Sequence, residues 1–414
     1  MSRRNRRPRV APRPSVRRTD ARLPDIHHAA SQGWSRRQPL LRSRVHDLRM
    51  LAELDEDLQR NLTVLCEARA RGVCVPRAPG WAENPAVVFV EAACAGMGER
   101  DALEEVVAEA RSPSVQTALG AALAWLPFRR ITPCLRDWHD YQHPRWRALA
   151  LAACVAQRQD PGLLIDRGLA DGDLGVRIHA VRACGVFRRR DLVPALFASV
   201  AMDPHDATME LSCEVSLLAL GEAEASPRLL ALATAGGPNA ELATELALRS
   251  MPVCEAMTRL DIMGRHRGTE RCVVLGAAAT GAGRAVPLLL EAMHDPKLAA
   301  LAAYGLSTIT GLELEEVGLV TDPHDPTDPE LPYPNVDGVH RWWNRHRYGF
   351  CGDQRWCFGQ PRNAATLLEV LRAECQHQRL LAAHDLHHGS SHGLFATEAP
   401  GWRQRRALAA LDRA

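Results

Sequence analysis

The sequence predicts an all-α protein, a solenoid of stacked helix pairs ending in a small, mainly helical C-terminal module. Three observations predict it. Apolar residues make up 46% of the chain and charged residues 24%, so a core can be buried. Aromatics are only 5%, and the apolar material is mostly Ala and Leu with few β-branched residues, which favours helix over strand. Finally, a unit of roughly 30 residues recurs along the chain.

Residues 1–33 read as a disordered, Arg-rich tail containing Pro8, Pro12, Pro14 and Pro24. Residues 1–44 carry thirteen arginines against Asp20 and Asp25, a net of +11, and the remainder carries a net of −9. A nucleic-acid tether is one reading of the tail. A solvated extension and a start placed too far upstream are the plainer ones. Lys297 is the single lysine, so the arginine content reflects coding bias more than guanidinium chemistry.

From Val45 to Leu65 apolar residues step by three or four, which predicts an amphipathic helix capping the solenoid. The repeats follow. Pro85 opens PAVVFVEAACAGM, Pro113 opens PSVQTALGAALAWL and Pro144 opens PRWRALALAACVAQ; GVRIHAVRACGVF then begins at Gly175. The starts lie 28, 31 and 31 residues apart. Proline at a first helical turn removes an N–H that would be unpaired anyway. Each opening helix precedes a second amphipathic segment, and such a pair buries its apolar stripe only by stacking on neighbours. The solenoid is therefore set at 34–310, with about eight pairs.

An acidic, Pro-rich linker follows at 311–336. Asp322, Asp325 and Asp328 each precede proline, a spacing that suits extended, solvated chain. Residues 337–414 form the C-terminal module: a short helix with Trp342 and Trp343, a hairpin-like stretch around Trp356, a helix from Asn363 through His388, and another from Arg403. The module is expected to cap the last repeat.

GVRIHAVRACG resembles the HEAT-like repeats of bilin lyases and bacterial scaffold proteins. From about Trp34 onward the chain resembles an uncharacterised bacterial HEAT-like-repeat family that often accompanies type VI secretion genes. LAELDEDLQRNLTVL, ITGLELEE, LPYPNVDGVHRWW, RWCFGQP and QRLLAA carry the match. The resemblance implies association with a secretion spike, an effector or other cargo. It brings no catalytic residue with it.

No catalytic, cofactor-binding or metal site is expected from the residues. Seventeen histidines include no His-Glu dipeptide of the deoxyhypusine hydroxylase kind. His-Asp pairs begin at His46, His139, His205, His294, His324 and His384, several where Asp serves as a helix cap. Cysteines form no CxxC pair, and Cys351 and Cys357 have no second pair nearby. His384, His387, His388 and His392 form the densest imidazole cluster; 384 and 388 share a helical face that zinc would accept, yet no carboxylate or thiolate ligand accompanies them. Phosphate loops and nucleophile elbows are missing.

Trp342, Trp343 and Trp356 are the candidate partner-binding residues, because Trp and Arg dominate binding hot spots. Adjacent Trp342 and Trp343 diverge on one helix, so one is expected to pack inward and the other to lie at the rim. A non-catalytic protein–protein adaptor using the concave face and the C-terminal module is the functional expectation. An enzyme of the bilin-lyase or DNA-glycosylase kind on the same face is the alternative, the latter opposed by the acidic balance after residue 44. Nucleic acid is expected only at the tail. No apolar run reaches helical membrane-spanning length, and scattered cysteines without a signal peptide read as cytoplasmic.

Overall fold

A computed structural model describes residues 22–73, 75–322, 327–389 and 393–411. Among these the chain forms an all-α fold whose consecutive helices pack as a repeat solenoid. An N-terminal hairpin comprises α1 (Leu23–Leu40) and α2 (Leu48–Ala70). Seven pairs follow: α3 (Pro85–Met97) with α4 (Arg100–Glu109), α5 (Gln116–Trp125) with α6 (Phe128–Trp138), and α7 (Pro144–Ala156) with α8 (Leu164–Leu169). Next come α9 (Leu174–Val186) with α10 (Val193–Ala201), and α11 (Ala207–Leu220) with α12 (Ala225–Ala235). The last two are α13 (Ala240–Ser250) with α14 (Val253–Met263), and α15 (Glu270–Thr280) with α16 (Val286–Ala292), before α17 (Ala299–Thr310) closes the array.

Helix starts follow the local chemistry. Pro85 and Pro144 occupy first turns, while Asn84, Asp173 and Asp206 cap α3, α9 and α11 by accepting backbone N–H bonds. Asp47, from the first His-Asp pair, does the same for α2 through the Met50 N–H at 2.9 Å. Successive odd-numbered helices pack directly on one another from α3 to α11 and again from α13 to α17, with α12 carrying most of the contact between α11 and α13; successive even-numbered helices meet far less. The odd helices form the inner layer, against which the C-terminal part of the chain packs.

Two expectations about the N-terminal half and the linker are corrected. Residues 23–33, expected as disordered tail, form most of α1; residues 1–21 lie outside the described residues. Pro24 sits in the first turn, where it starts a helix, and Leu23, Ala30 and Trp34 form a buried stripe. Trp34 stacks on Phe89 of α3, with ring centroids 5.5 Å apart. In the linker, Val320 bridges to Pro334, and Asp328 pairs with Arg271 of α15 at 2.8 Å, so this stretch is pinned to the array. Asp325 and His324 lie outside the described residues.

The C-terminal module contains α18 (Val336–His346), a hairpin of β1 (Trp356–Cys357) and β2 (Gln360–Pro361), α19 (Ala364–Ala373), α20 (Gln376–Gly389) and α21 (Gly401–Leu411). The single helix expected from Asn363 is two, broken at Glu374 and Cys375. Capping of the last repeat falls to α18, whose Val339 and Trp343 join the core of the array beside α16. The rest of the module turns back. The hairpin meets α17, α20 packs on α13 and α11, and α21 packs on α2. The module thus runs antiparallel to the repeat order and covers much of the inner layer.

Candidate functional site

Every α-helix ends with four carbonyls that lack intrahelical partners and carry the negative end of the helix dipole. In a solenoid these ends line up, here as the C-termini of the inner-layer helices. The returning module supplies the missing donors one helix at a time. At α17, the Phe358 and Gly359 N–H groups bond Thr308 O (2.8 Å) and Ile309 O (3.0 Å). Both residues have positive φ, as a two-residue hairpin turn of type I′ demands, and a Cβ on Gly359 would lie 2.7 Å from Thr310 O.

At α15 and α13 the donors are arginines. Arg355 reaches Thr280 O (2.8 Å), Leu248 O (3.3 Å) and Met251 O, and Arg362 reaches Arg249 O (2.8 Å). At α11 and α9 they are imidazoles: His388 Nδ1 donates to Leu218 O (3.0 Å) and His387 Nε2 to Gly185 O (2.9 Å). A carbonyl only accepts, so these bonds fix both tautomers. At α5, Arg403 bonds Ala124 O, Trp125 O (2.8 Å) and Leu126 O (2.7 Å). Taken in blocks, residues 355–362 serve α13 to α17, 387–388 serve α9 and α11, and 403 serves α5, so the returning chain runs against the order of helices.

Two helices repay the contact. Arg158 and Arg188 follow α7 and α9 with φ of 54° and 55°, the left-handed position that Gly221, Gly281 and Gly311 fill elsewhere. A non-glycine residue there is uncommon and strained. Each sends its guanidinium into the module: Arg158 to Leu394 O (2.7 Å), Arg188 to His387 O.

A buried polar seam holds α20 on the inner layer. His377 bonds Glu245 of α13 at 2.9 Å, and Gln378 bonds Tyr304 of α17 at 2.8 Å. Asp385 takes both oxygens to Arg249 of α13, the closest contact being 2.6 Å. Burial by itself would raise the Asp385 carboxyl, but Arg249 and Arg362 more than compensate and hold it below its ordinary range. Arg379, fully buried, ties α20 to α19 through Leu371 O (2.7 Å) and to α21 through Gln404 Oε1 (2.7 Å). At the far end Arg37 of α1 and Asp55 of α2 form a buried pair at 2.6 Å; Asp55 also accepts the Gly401 N–H at 2.8 Å. A Cβ on Gly401 would lie 2.5 Å from that of Ala52, so only glycine lets α21 approach α2 this closely.

Two cavities among the described residues lie along this junction. The smaller, about 250 Å³, is bordered by Arg249, Arg362, Asn363, His384, Asp385 and His388. Burial pushes His384 down to about 4, so it stands neutral beside the Arg249–Asp385 pair. The larger, about 710 Å³, lies between the ends of α7 and α9 and helices α19 to α21. Phe128, Phe187, Leu371, Phe395 and Trp402 line it, with Arg158, Arg403 and Arg406 as its charged members.

The candidate residues separate by environment. Trp343 is buried, 5.7 Å from the Phe350 ring, and Trp356 packs edge-on to Phe350 at 5.2 Å while its backbone N–H bonds Gly281 O at 2.7 Å. Trp342 is half-buried and stacks on His346 at 4.3 Å. Nearby Tyr348 is 74% exposed, with Arg347 over its ring. Of the imidazole cluster, His387 and His388 cap helices, His384 borders the smaller cavity and His392 lies outside the described residues. Among the described residues no group of three or more His, Cys, Asp or Glu could hold a metal ion, and no helix is long and apolar enough to cross a membrane.

Fold and junction together define an all-α helical-repeat protein whose own C-terminal module occupies its inner layer. No family model, curated protein or solved structure matches the chain.

Proposed function

We propose that the protein is a non-catalytic adaptor of the cytoplasm, a helical-repeat frame that presents its α18 end to a protein partner. The observation that carries this reading is the division of labour on α18. In a chain with 5% aromatics, Trp343 is committed to the core while Trp342 is half-buried, with its ring stacked on His346, and Tyr348 is exposed beside Arg347. Accessible Trp and Tyr flanked by Arg are the residues that most often carry interface energy. The inner layer, by contrast, is largely taken by α20 and the hairpin, which moves the docking surface from the concave face to the end of the array. The family resemblance suggests a type VI secretion component or its cargo as the client.

The test is affinity capture from the native host, read by mass spectrometry, with intact protein, Trp342→Ala and Tyr348→Ala side by side. A client retained by the intact chain should be depleted tenfold or more by either substitution while the melting temperature stays unchanged. Equal recovery on all three would remove α18 as the docking surface. Turnover of a small molecule by the purified chain would replace the adaptor reading with an enzymatic one.

A further inference from the structure

We propose that the larger cavity is a binding site for a long-chain monocarboxylate, with the apolar chain inside and the carboxylate on Arg158 and Arg406. Three features of the cavity lead there, independently of the α18 surface. The first is size and lining. At about 710 Å³ it falls within the range of small-molecule pockets, and its walls are chiefly Phe, Trp, Leu, Val and Ala side chains. Packed interiors leave few voids larger than a water molecule, and apolar walls hold water poorly.

The second is charge. Arg158, Arg403 and Arg406 line the cavity, and among the described residues no Asp or Glu does. Among the described residues none of the three arginines forms an ion pair; Arg158 and Arg403 bond carbonyl and amide oxygens instead. Burial lowers the Arg158 guanidinium to about 10, with Glu398 opposing only in part, so a carboxylate arriving here would relieve a cation that burial disfavours.

The third is the remaining donor capacity. A guanidinium has five N–H groups. Arg158 spends one at Nε on Leu394 O, one at Nη1 on Val155 O and one at Nη2 on Phe395 O, which leaves one at each terminal nitrogen. Arg403 spends both terminal nitrogens on α5 carbonyls and is a capping residue. Arg406 is exposed and has no hydrogen-bond partner among the described residues. One half-buried and one exposed guanidinium suit a single carboxylate at the mouth of an apolar pocket. They do not suit a polyphosphate or nucleic-acid strand, whose many charges would lose water against the apolar walls.

The experiment uses the full-length, delipidated protein and cis-parinaric acid, an 18-carbon fluorescent carboxylate. Saturable binding of one probe per chain is expected, displaced by palmitate and at least tenfold less well by methyl palmitate. Arg406→Gln, which breaks no hydrogen bond or ion pair among the described residues, should weaken binding about tenfold. Ala407→Trp, at an exposed position of α21 facing the cavity, should abolish it by filling the space, with the circular dichroism spectrum unchanged in both variants. The proposal is overturned by absence of saturable binding, by equal competition from the methyl ester, or by binding that survives Ala407→Trp. It is equally overturned if phosphatidylcholine vesicles or a peptide with an apolar C-terminus displace the probe where palmitate does not.

Discussion

Asp55→Ala tests whether the C-terminal module is held by the α1–α2 hairpin. Asp55 is fully buried and accepts bonds from Arg37 Nε at 2.6 Å, Arg37 Nη2 at 3.4 Å and the Gly401 N–H at 2.8 Å. Removing the carboxylate leaves a guanidinium that is only 4% exposed, still bonded to Glu398 O (2.9 Å) and Ala399 O (3.2 Å) but without a counter-charge. It also orphans a buried backbone N–H. Breaking a buried pair costs about 3–5 kcal/mol, and an unsatisfied amide about 1–3 kcal/mol within that total. A loss near 4 kcal/mol is expected, a large fraction of the about 5–15 kcal/mol that natural domains possess. The pair itself is a locating device: burial raises the Asp55 carboxyl above its ordinary value even though Arg37 and Gly401 oppose the shift. Replacing both partners with apolar side chains, Arg37→Met with Asp55→Leu, should therefore cost less than Asp55→Ala alone. Urea unfolding followed at 222 nm supplies both numbers, with an unchanged m-value certifying the comparison. A cost below about 1 kcal/mol for Asp55→Ala, or a double variant as destabilised as the two single variants added together, would refute the reasoning.

Glu374, pushed up to about 7 by burial and the nearby Glu313, is favoured in its neutral form in the fold, so stability should fall as pH rises from about 4.5 to about 7 and then level off. Glu374→Gln should recover up to about 3 kcal/mol at pH 8 and almost nothing at pH 4, measured by denaturation at each pH. His384, lowered to about 4, acts oppositely: the unfolded chain takes the proton first, so stability is lost as pH falls from 6.5 toward 4. His384→Gln should flatten that acid limb, and an unchanged limb would place the buried neutral imidazole elsewhere. Trp343→Ala should lower stability by about 3–5 kcal/mol, whereas Trp342→Ala should cost less than about 1 kcal/mol; equal melting temperatures would contradict the α18 packing.

Local chemistry alone determined the helical class, the roughly 30-residue repeat and the helix starts at Pro85, Pro144, Asp173 and Asp206. Periodicity and first-turn capping are read out within a few residues of where they are written. The same locality explains the error at α1, where Pro24 and the arginines outweighed the sparse stripe of Leu23, Ala30 and Trp34 that α2 and α3 bury. The divergence of Trp342 and Trp343 was likewise legible from one helix, but which of them packs inward depends on α16 and Phe350. Only the tertiary structure decided where the C-terminal module goes. Helix C-termini advertise themselves as Gly221, Gly281 and Gly311, yet Arg158 and Arg188 hide the same backbone position behind a residue type that gives no signal. Their carbonyls are satisfied from across the fold, by Arg355, Arg362, His387, His388 and Arg403, and sequence spacing carries no record of a partner more than a hundred residues away. The arginines that composition assigned to coding bias, and the histidines to which spacing assigned no site, are, at this junction, the donors that close the array. Their role follows from the stacking that sets a row of helix C-terminal carbonyls, lacking partners within their own helices, against the returning chain.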